Sequence, residues 1–126
     1  MILADTSVWV DHLRRRSQTF AQLLESEQIL IHPFVIGELA LGHLRPRGLI
    51  LSYFYNLPQS KLASYQEVLH FIDRHRLFGC GIGYVDAHLL AATQLTAGAT
   101  FWTADKRLHR VAGRLRLAAS SAALQY

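Results

Sequence analysis

Residues 1–13 read MILADTSVWVDHL, and this stretch predicts the architecture of the domain. Residues 1–4 form a short apolar run typical of a buried strand, and the run ends in Asp5-Thr-Ser, a common helix start. From Val8 to Leu13 the hydrophobic residues recur at helical spacing. A strand that leads directly into a helix is the first half of a βαβ unit, so we expect parallel strands.

The rest of the chain repeats this alternation of short apolar runs and helical patterns. It therefore predicts the α/β class with a mainly parallel sheet, and without repeats or a linker it predicts one domain over residues 1–126. The expected elements are a helix around 20–24, a strand at 28–31, a helix opened by Pro33, an apolar stretch at 49–57, helices at 61–75 and 84–95, a glycine-rich segment at 78–83, a strand at 99–102, a helix at 105–111 and a strand at 115–118.

Composition excludes several classes of protein. The chain has 126 residues, of which 51% are hydrophobic and 17% charged, so it is neither disordered nor collagen-like. The longest uncharged stretch, residues 48–60, is too short and too polar to span a bilayer. We expect no signal peptide, because no basic segment precedes the first apolar residues. The single cysteine, Cys80, fits a reducing cytoplasm.

Four of the nine acidic residues lie among apolar neighbours: Asp5, Glu38, Asp86 and Asp105. Each has a structural explanation of its own. Asp5 and Asp105 are placed to cap helices, Asp86 falls in a first helical turn, and Glu38 can face solvent. An unpaired buried carboxylate is nevertheless costly, so their shared setting calls for a common reason.

That reason is the edge of the sheet. Ligands bind outside the carboxyl ends of parallel strands, and Asp5 and Asp105 directly follow two predicted strands. Asp86 and Glu38 lie in helices that can reach the same edge. Clustered carboxylates repel one another and need a cation, and an all-oxygen ligand set favours Mg²⁺ or Mn²⁺. Such a site polarises a phosphodiester and generates a hydroxide nucleophile.

Four motifs, in this order, resemble the PIN-domain ribonucleases, and most closely the VapC-type toxins of bacterial toxin–antitoxin pairs. They are DTSVW at 5–9, GEL at 37–39, GYVDAHLLAAT at 83–93 and FWTADKRL at 101–108. The resemblance covers nearly the whole chain. It implies a three-layer α/β/α sandwich and a Mg²⁺-dependent endoribonuclease, with Mn²⁺ as an alternative metal.

The family's acidic quartet falls on Asp5, Glu38, Asp86 and Asp105, which the resemblance implies are the catalytic residues. Asp5 and Asp86 are the implied metal ligands. Glu38 and Asp105 complete the negative pocket, bind a second metal through water, or orient the attacking water. Thr103 matches a hydroxyl that lines this pocket in the family, and a simple strand-end or capping role is an equal alternative.

Basic residues outnumber acidic ones, thirteen to nine, for a net charge of +4. If the quartet faces one pocket, five acidic residues remain elsewhere, and the rest of the surface carries +8. Such a surface attracts a polyanion, and Lys106 and Arg107, beside Asp105, are expected to contact phosphates flanking the scissile bond.

The resemblance also implies an inhibitory partner, a small antitoxin whose C-terminal segment occludes the acidic pocket. The apolar segment 49–57 is a candidate docking surface for it. We also expect a homodimer, and a dimer contact is a rival use of the same residues. No membrane association is expected. A receiver domain is excluded, because no acidic pair follows the first strand. A catalytically silent RNA-binding or assembly module and a DNA-directed nuclease relative remain as alternatives.

Five other residues invite a functional reading. We expect His88, two residues after Asp86, to pack rather than bind metal, and His32 to be a surface or loop residue. Trp9 and Trp102 are expected to pack in the core, with base stacking as the alternative. Cys80 has no base nearby in sequence and is expected to act as a small apolar residue.

Overall fold

A computed structural model describes residues 1–120, which form three strands and seven helices. The predicted alternation of strands and helices is confirmed. In chain order the elements are β1 (Ile2–Ala4), α1 (Thr6–Arg14), α2 (Gln18–Glu25), β2 (Ile29–Leu30), α3 (Pro33–Ala40), α4 (Arg47–Tyr55), α5 (Tyr65–Arg74), α6 (Tyr84–Leu95), β3 (Thr100–Trp102) and α7 (Lys106–Arg114).

The three strands form a parallel sheet in the order β2-β1-β3. In the central strand Ile2 is opposite Ile29 of β2, and Leu3 is opposite Phe101 of β3. Successive residues of a strand point to opposite faces, yet all three residues of β1 are buried. Both faces of the sheet are therefore covered by helices, which confirms the three-layer α/β/α class.

An aromatic cluster anchors α1 and α2 to the core. Trp9 on α1 is 1% exposed, and its ring packs edge-on against Phe20 on α2, with ring centres 4.7 Å apart. Phe54 on α4 also packs against the indole, with ring centres 5.2 Å apart. Edge-to-face aromatic packing fixes the orientation of rings, so this cluster holds α1, and the residue that starts it, in place.

Several predicted elements differ in their bounds from those in the structure, and two of these differences have an identifiable cause. The helix expected at 61–75 begins only at Tyr65, because Ser64 and Glu67 form a capping box that sets its start there. The strand expected at 115–118 is reduced to a single bridge between Ala118 and Phe101. Arg116 adopts a left-handed turn conformation, φ 59°, so the chain turns within the predicted strand and only its residues 117–118 follow the turn.

Within residues 1–120, no helix combines the length and the apolar character needed to cross a membrane.

Candidate active site

The structure brings the four carboxylates together at the carboxyl edge of the sheet. Asp5 directly follows β1, and Asp105 comes shortly after β3. Glu38 lies on α3, which starts just after β2, and Asp86 lies in the first turn of α6. Asp86 interacts electrostatically with each of the other three acidic side chains, so it is at the centre of the group. We refer to these four residues as the acidic edge.

Asp5 is the most buried member of the acidic edge, with 6% of its surface exposed. Its Oδ1 accepts hydrogen bonds from the Val8 amide at 3.2 Å and the Ser7 hydroxyl at 2.5 Å, and the first of these caps α1. Its Oδ2 accepts a bond from the Thr103 hydroxyl at 2.5 Å. A carboxylate has about four lone-pair directions, so one remains for a further ligand.

Two hydroxyl groups join the start of α1 to the start of α7. The Thr103 hydroxyl donates to Asp5 and accepts from the Asp105 amide at 3.0 Å. The Ser7 hydroxyl also donates to Asp5 and accepts from the Ala104 amide at 3.0 Å. Ser7 did not stand out in the sequence, although a serine two residues after a capping aspartate is a recognisable signal. The pair fixes the position of Asp5 relative to Asp105.

Asp86 and Glu38 are each oriented by one donor and keep one oxygen free. Asp86 Oδ2 accepts the Gly83 amide at 2.9 Å, which completes a capping box at the start of α6. Glu38 Oε1 accepts the Thr6 hydroxyl at 2.6 Å, which joins α3 to the first turn of α1. In the described part of the chain, the other oxygen of each carboxylate accepts no hydrogen bond.

The electrostatics of the acidic edge favour a cation. Burial raises the pKa of Asp5, hydrogen bonds from Ser7, Thr103 and Val8 oppose this, and the nearby Asp86 raises it further. Burial likewise raises the pKa of Asp86, with the Gly83 amide opposing and Asp105 and Glu38 adding to it. Each ionised carboxylate is therefore destabilised both by loss of water and by its neighbours.

No positive side chain relieves this repulsion. Across residues 1–120, none of the four carboxylates forms an ion pair with a lysine, arginine or histidine. Over the same residues no three His, Cys, Asp or Glu side chains form a ready-made metal cage. An open group of carboxylate oxygens fits a hard cation such as Mg²⁺, which takes one or two carboxylates and completes its shell with water and substrate phosphates.

Comparisons with known proteins agree with this geometry. A model of the PIN domain matches residues 2–114, from β1 to the end of α7. The chain belongs to the PIN-domain family. Two relatives named Ribonuclease VapC32, from Mycobacterium tuberculosis strains CDC 1551 / Oshkosh and ATCC 25618 / H37Rv, are 46% identical to it over 108 residues. The alignment covers 86% of this chain and 87% of each relative, which places it among the VapC-type members.

A basic surface adjoins the acidic edge of this PIN-domain protein. Lys106 is exposed in the first turn of α7, beside a concave surface of about 450 Å³ that extends from Thr103 to Arg110. Arg107 is directed elsewhere: its guanidinium donates to the Gly81 carbonyl oxygen at 3.4 Å. Gly81 has φ 78°, and a Cβ there would collide with Arg107. Arg107 therefore supports the loop that precedes Asp86.

The prediction for His32 was wrong, because this side chain is 0% exposed. Its Nδ1 accepts a hydrogen bond from the Phe34 amide at 2.9 Å and caps α3. His32 therefore caps the helix that follows β2, as Asp5 caps the helix that follows β1. Burial, with a contribution from His88, lowers the pKa of His32 to about 4. Neutral His32 therefore cannot supply charge to the site.

The remaining histidine and tryptophans mostly pack, as expected. The His88 ring lies between those of Phe34 and Tyr84, with centres 4.8 and 4.6 Å apart. Trp9 is enclosed in the core of this PIN-domain protein, whereas Trp102 is only half-buried. Cys80 is also half-buried, and its thiol donates to a backbone carbonyl oxygen at 3.6 Å.

Proposed function

We propose that the protein is a Mg²⁺- or Mn²⁺-dependent endoribonuclease and the toxin of a toxin–antitoxin pair. PIN-domain membership and the identity to Ribonuclease VapC32 define the reaction class, hydrolysis of RNA phosphodiester bonds. The observation that carries the metal-dependent part is the acidic edge itself. Burial and Asp86 raise the pKa of Asp5, and burial, Asp105 and Glu38 raise that of Asp86. No cationic side chain is paired with either carboxylate in the part of the chain that the structure describes.

Asp5 and Asp86 are the residues proposed to hold the cation. Asp5 keeps one lone-pair direction, and Asp86 keeps one oxygen, while hydrogen bonds fix the rest of both carboxylates. When bound, the divalent cation polarises the phosphodiester and makes the attacking water more acidic. Thr103 and Ser7 both donate to Asp5, so they favour its ionised form against the effect of burial and fix its orientation.

Glu38 is proposed to act on the attacking water, and Asp105 is proposed to complete the negative pocket. Glu38 is exposed and has one free oxygen, so it is able to orient the attacking water and accept its proton. Asp105 uses one oxygen to cap α7 through the Leu108 amide at 2.9 Å, which leaves the other to face solvent and substrate. Both add negative charge that a bound cation offsets.

Lys106 is proposed to contact a phosphate next to the scissile bond. Its position one residue after Asp105, at the rim of the basic concave surface, supports this. Arg107 is proposed mainly to support the loop before Asp86 through its hydrogen bond to Gly81, and phosphate contact is a secondary role. Salt should weaken RNA binding steeply, because phosphate contacts release counterions.

Cleavage of a single-stranded RNA tests this function. Wild-type protein should cut it with Mg²⁺ or Mn²⁺, and EDTA should stop the reaction. Asp5→Asn and Asp86→Asn should abolish cleavage while circular dichroism remains unchanged, and Asp73→Asn, an exposed aspartate on α5, serves as the control. Full activity in either site variant contradicts the metal site. RNA binding without cleavage indicates a silent module, and cleavage of single-stranded DNA alone indicates a DNA-directed relative.

The antitoxin is proposed to bind an apolar groove between α1, α2 and α4. The groove has a volume of about 510 Å³, and Trp9, Leu24, Ile50 and Tyr53 contribute to its walls. Leu49, on its α4 side, is 71% exposed. Exposed apolar surface of this kind marks a protein-binding site. A homodimer is the rival occupant.

Growth assays in the bacterial cytoplasm, where we place the protein, separate these occupants. Expression alone should arrest growth, and co-expression of a small neighbouring antitoxin gene should relieve the arrest. Leu49→Glu should leave cleavage unchanged and prevent the relief. If Leu49→Glu instead changes the mass of the isolated protein and leaves relief intact, the groove is a dimer contact. Harmless expression of the wild type contradicts the toxin role.

A further inference from the structure

A second concave surface adjoins the acidic edge, and nothing above assigns it a role. It has a volume of about 400 Å³ and lies between the outer side of α1, the start of α2 and the end of β3. Its lining mixes aromatic and charged side chains. We call it the α1–β3 pocket, and the residues used below are Asp11, His12, Arg14, Arg15, Trp102 and Ala104.

The α1–β3 pocket adjoins backbone that holds the acidic edge in place. Val8 and Ala104 line it, and the amides of both are tied to the Asp5 network. The Val8 amide donates to Asp5 Oδ1 at 3.2 Å, and the Ala104 amide donates to Ser7 at 3.0 Å. A strand whose scissile phosphate lies at Asp5 therefore has its next nucleotides beside this pocket.

Trp102 supplies a partly exposed aromatic surface to the α1–β3 pocket. Its ring packs against Phe20, with centres 5.7 Å apart, and Phe20 is held in turn by Trp9 at 4.7 Å. Trp102 is nevertheless half-buried and lines the pocket, so part of the indole faces the open space. A fixed, partly exposed indole is a stacking platform for an unpaired base.

The charges of the pocket suit a phosphate. Arg14 and Arg15 line it with one acid, Asp11, and neither arginine forms an ion pair within the described residues. Burial and the nearby Arg16 lower the pKa of His12, which favours its neutral form. Its Nδ1 accepts the Ser17 amide at 3.1 Å, so its proton is on Nε2. The pocket thus has a net positive charge and an additional neutral donor.

We propose that the α1–β3 pocket binds an unpaired nucleotide of the RNA strand next to the scissile phosphate. The base stacks on Trp102, and its phosphate contacts Arg15, with Arg14 adding charge. This inference rests on the proposed function, since it names a substrate subsite of the same enzyme. It predicts a preference for single-stranded RNA, because a paired base cannot leave its stack to reach the indole without a cost.

Two adjacent arginines provide a matched test. Arg15 lines the α1–β3 pocket, whereas Arg16 does not line it and instead lines the apolar groove between α1, α2 and α4. Binding of a fluorescein-labelled, single-stranded RNA pool is measured by anisotropy in an Asp86→Asn background, which prevents cleavage. Arg15→Ala should weaken binding about three- to tenfold and reduce the salt slope by about 0.7. Arg16→Ala should change neither, and equal effects of the two variants overturn the proposal.

Trp102 provides an independent readout by fluorescence. RNA should quench emission of the parent protein, and Trp102→Phe, which leaves only the enclosed Trp9, should show no quenching. Trp102→Phe should keep most of the affinity because a ring remains. Trp102→Leu should lower the RNA affinity about ten- to hundredfold. Melting temperatures should show that both variants fold. Persistent quenching in Trp102→Phe, or equal binding of double-stranded RNA, overturns the subsite.

The outcomes also separate this inference from the proposed function. RNA quenching and Arg15 dependence without any metal-dependent cleavage by the wild type support the subsite and contradict the nuclease. Cleavage that is insensitive to Arg15→Ala and Trp102→Leu supports the nuclease and overturns the subsite. Quenching by the antitoxin and not by RNA also overturns it, since the pocket then belongs to the inhibitor.

Discussion

The junctions β1–α1 and β3–α7 have the same local design and different environments. Each ends a parallel strand and starts a helix with a capping aspartate, Asp5 in the first and Asp105 in the second. Asp5 is buried and accepts three hydrogen bonds, whereas Asp105 is exposed and accepts one. Capping and catalysis are therefore not alternatives, because a capping carboxylate has an oxygen or a lone pair to spare.

The third junction, β2–α3, has the same cap position filled by His32. It is fully buried and neutral, so it supplies neither a carboxylate oxygen nor charge. At this junction the acid, Glu38, comes later, on the helix itself. The acidic edge thus contains two carboxylates, Asp5 and Asp105, that cap helices after β1 and β3. Its other two members, Glu38 and Asp86, lie on α3 and α6.

The largest expected effect separates Asp5 from Asp105. Asp5→Asn should lower the RNA cleavage rate about 10²- to 10⁴-fold, since it removes several kcal/mol of cation-dependent stabilisation. Asp105→Asn keeps the helix cap and should lose less, because the Asp105 carboxylate is exposed and neither Ser7 nor Thr103 donates to it. Single-turnover rates at saturating Mg²⁺ measure both. Equal losses would show that burial and hydrogen bonding do not distinguish the two aspartates.

The His32 cap at the β2–α3 junction should make the free energy of unfolding depend on pH. The pKa of His32 is about 4 in the folded protein and 6.5 when unfolded, so the unfolded state binds the proton more tightly. As pH falls from 6.5 to 4, this difference in pKa lowers the free energy of unfolding by up to about 3 kcal/mol. Urea unfolding of His32→Asn, which keeps a capping side chain, should lack this loss, and exposed His70→Asn should retain it. Parallel profiles would contradict the assignment.

The hydroxyl that links the two aspartate junctions should have an intermediate effect. Thr103→Val removes the donor to Asp5 and the acceptor for the Asp105 amide, and should lower cleavage about ten- to hundredfold. Thr93→Val is the matched control, because Thr93 is also buried but donates to a helix carbonyl oxygen at 2.8 Å. Only the first should change cleavage. Unchanged cleavage in Thr103→Val would remove Thr103 from the site.

The smallest effect concerns stability without metal. The raised pKa of Asp5 means that the folded state binds its proton more tightly than the unfolded state does. Stability therefore falls as pH rises from the ordinary value, 3.8, through the raised one. In EDTA at neutral pH, Asp5→Asn should melt above the wild type, and the difference should shrink toward pH 3.8. A lower melting temperature at every pH would contradict the repulsion described here.

Much of the fold could be predicted because its signals are local. The apolar run before Asp5 and the helical period of 84–95 predict elements that the structure confirms. The strand expected at 115–118 failed because the apolar run does not reveal the left-handed turn at Arg116, after which a single bridge joins Ala118 to Phe101 in the described residues.

The candidate site was less predictable where it depends on tertiary contacts. The acids stood out because charge among apolar residues is visible in sequence. The role of Ser7 depends on Ala104, far along the chain. The buried His32 ring packs against Phe34 of α3, which in turn contacts His88 of α6. Arg107 looked like a phosphate ligand because its bond to Gly81 has no sequence signature.

Calorimetric titration with Mn²⁺ tests most directly whether the acidic edge is a divalent-metal site. Wild-type protein and Asp73→Asn should bind Mn²⁺ with the same affinity, and Asp86→Asn should lose binding, since Asp86 is the acid that contacts the other three electrostatically. Equal Mn²⁺ binding by wild type and Asp86→Asn would contradict the account.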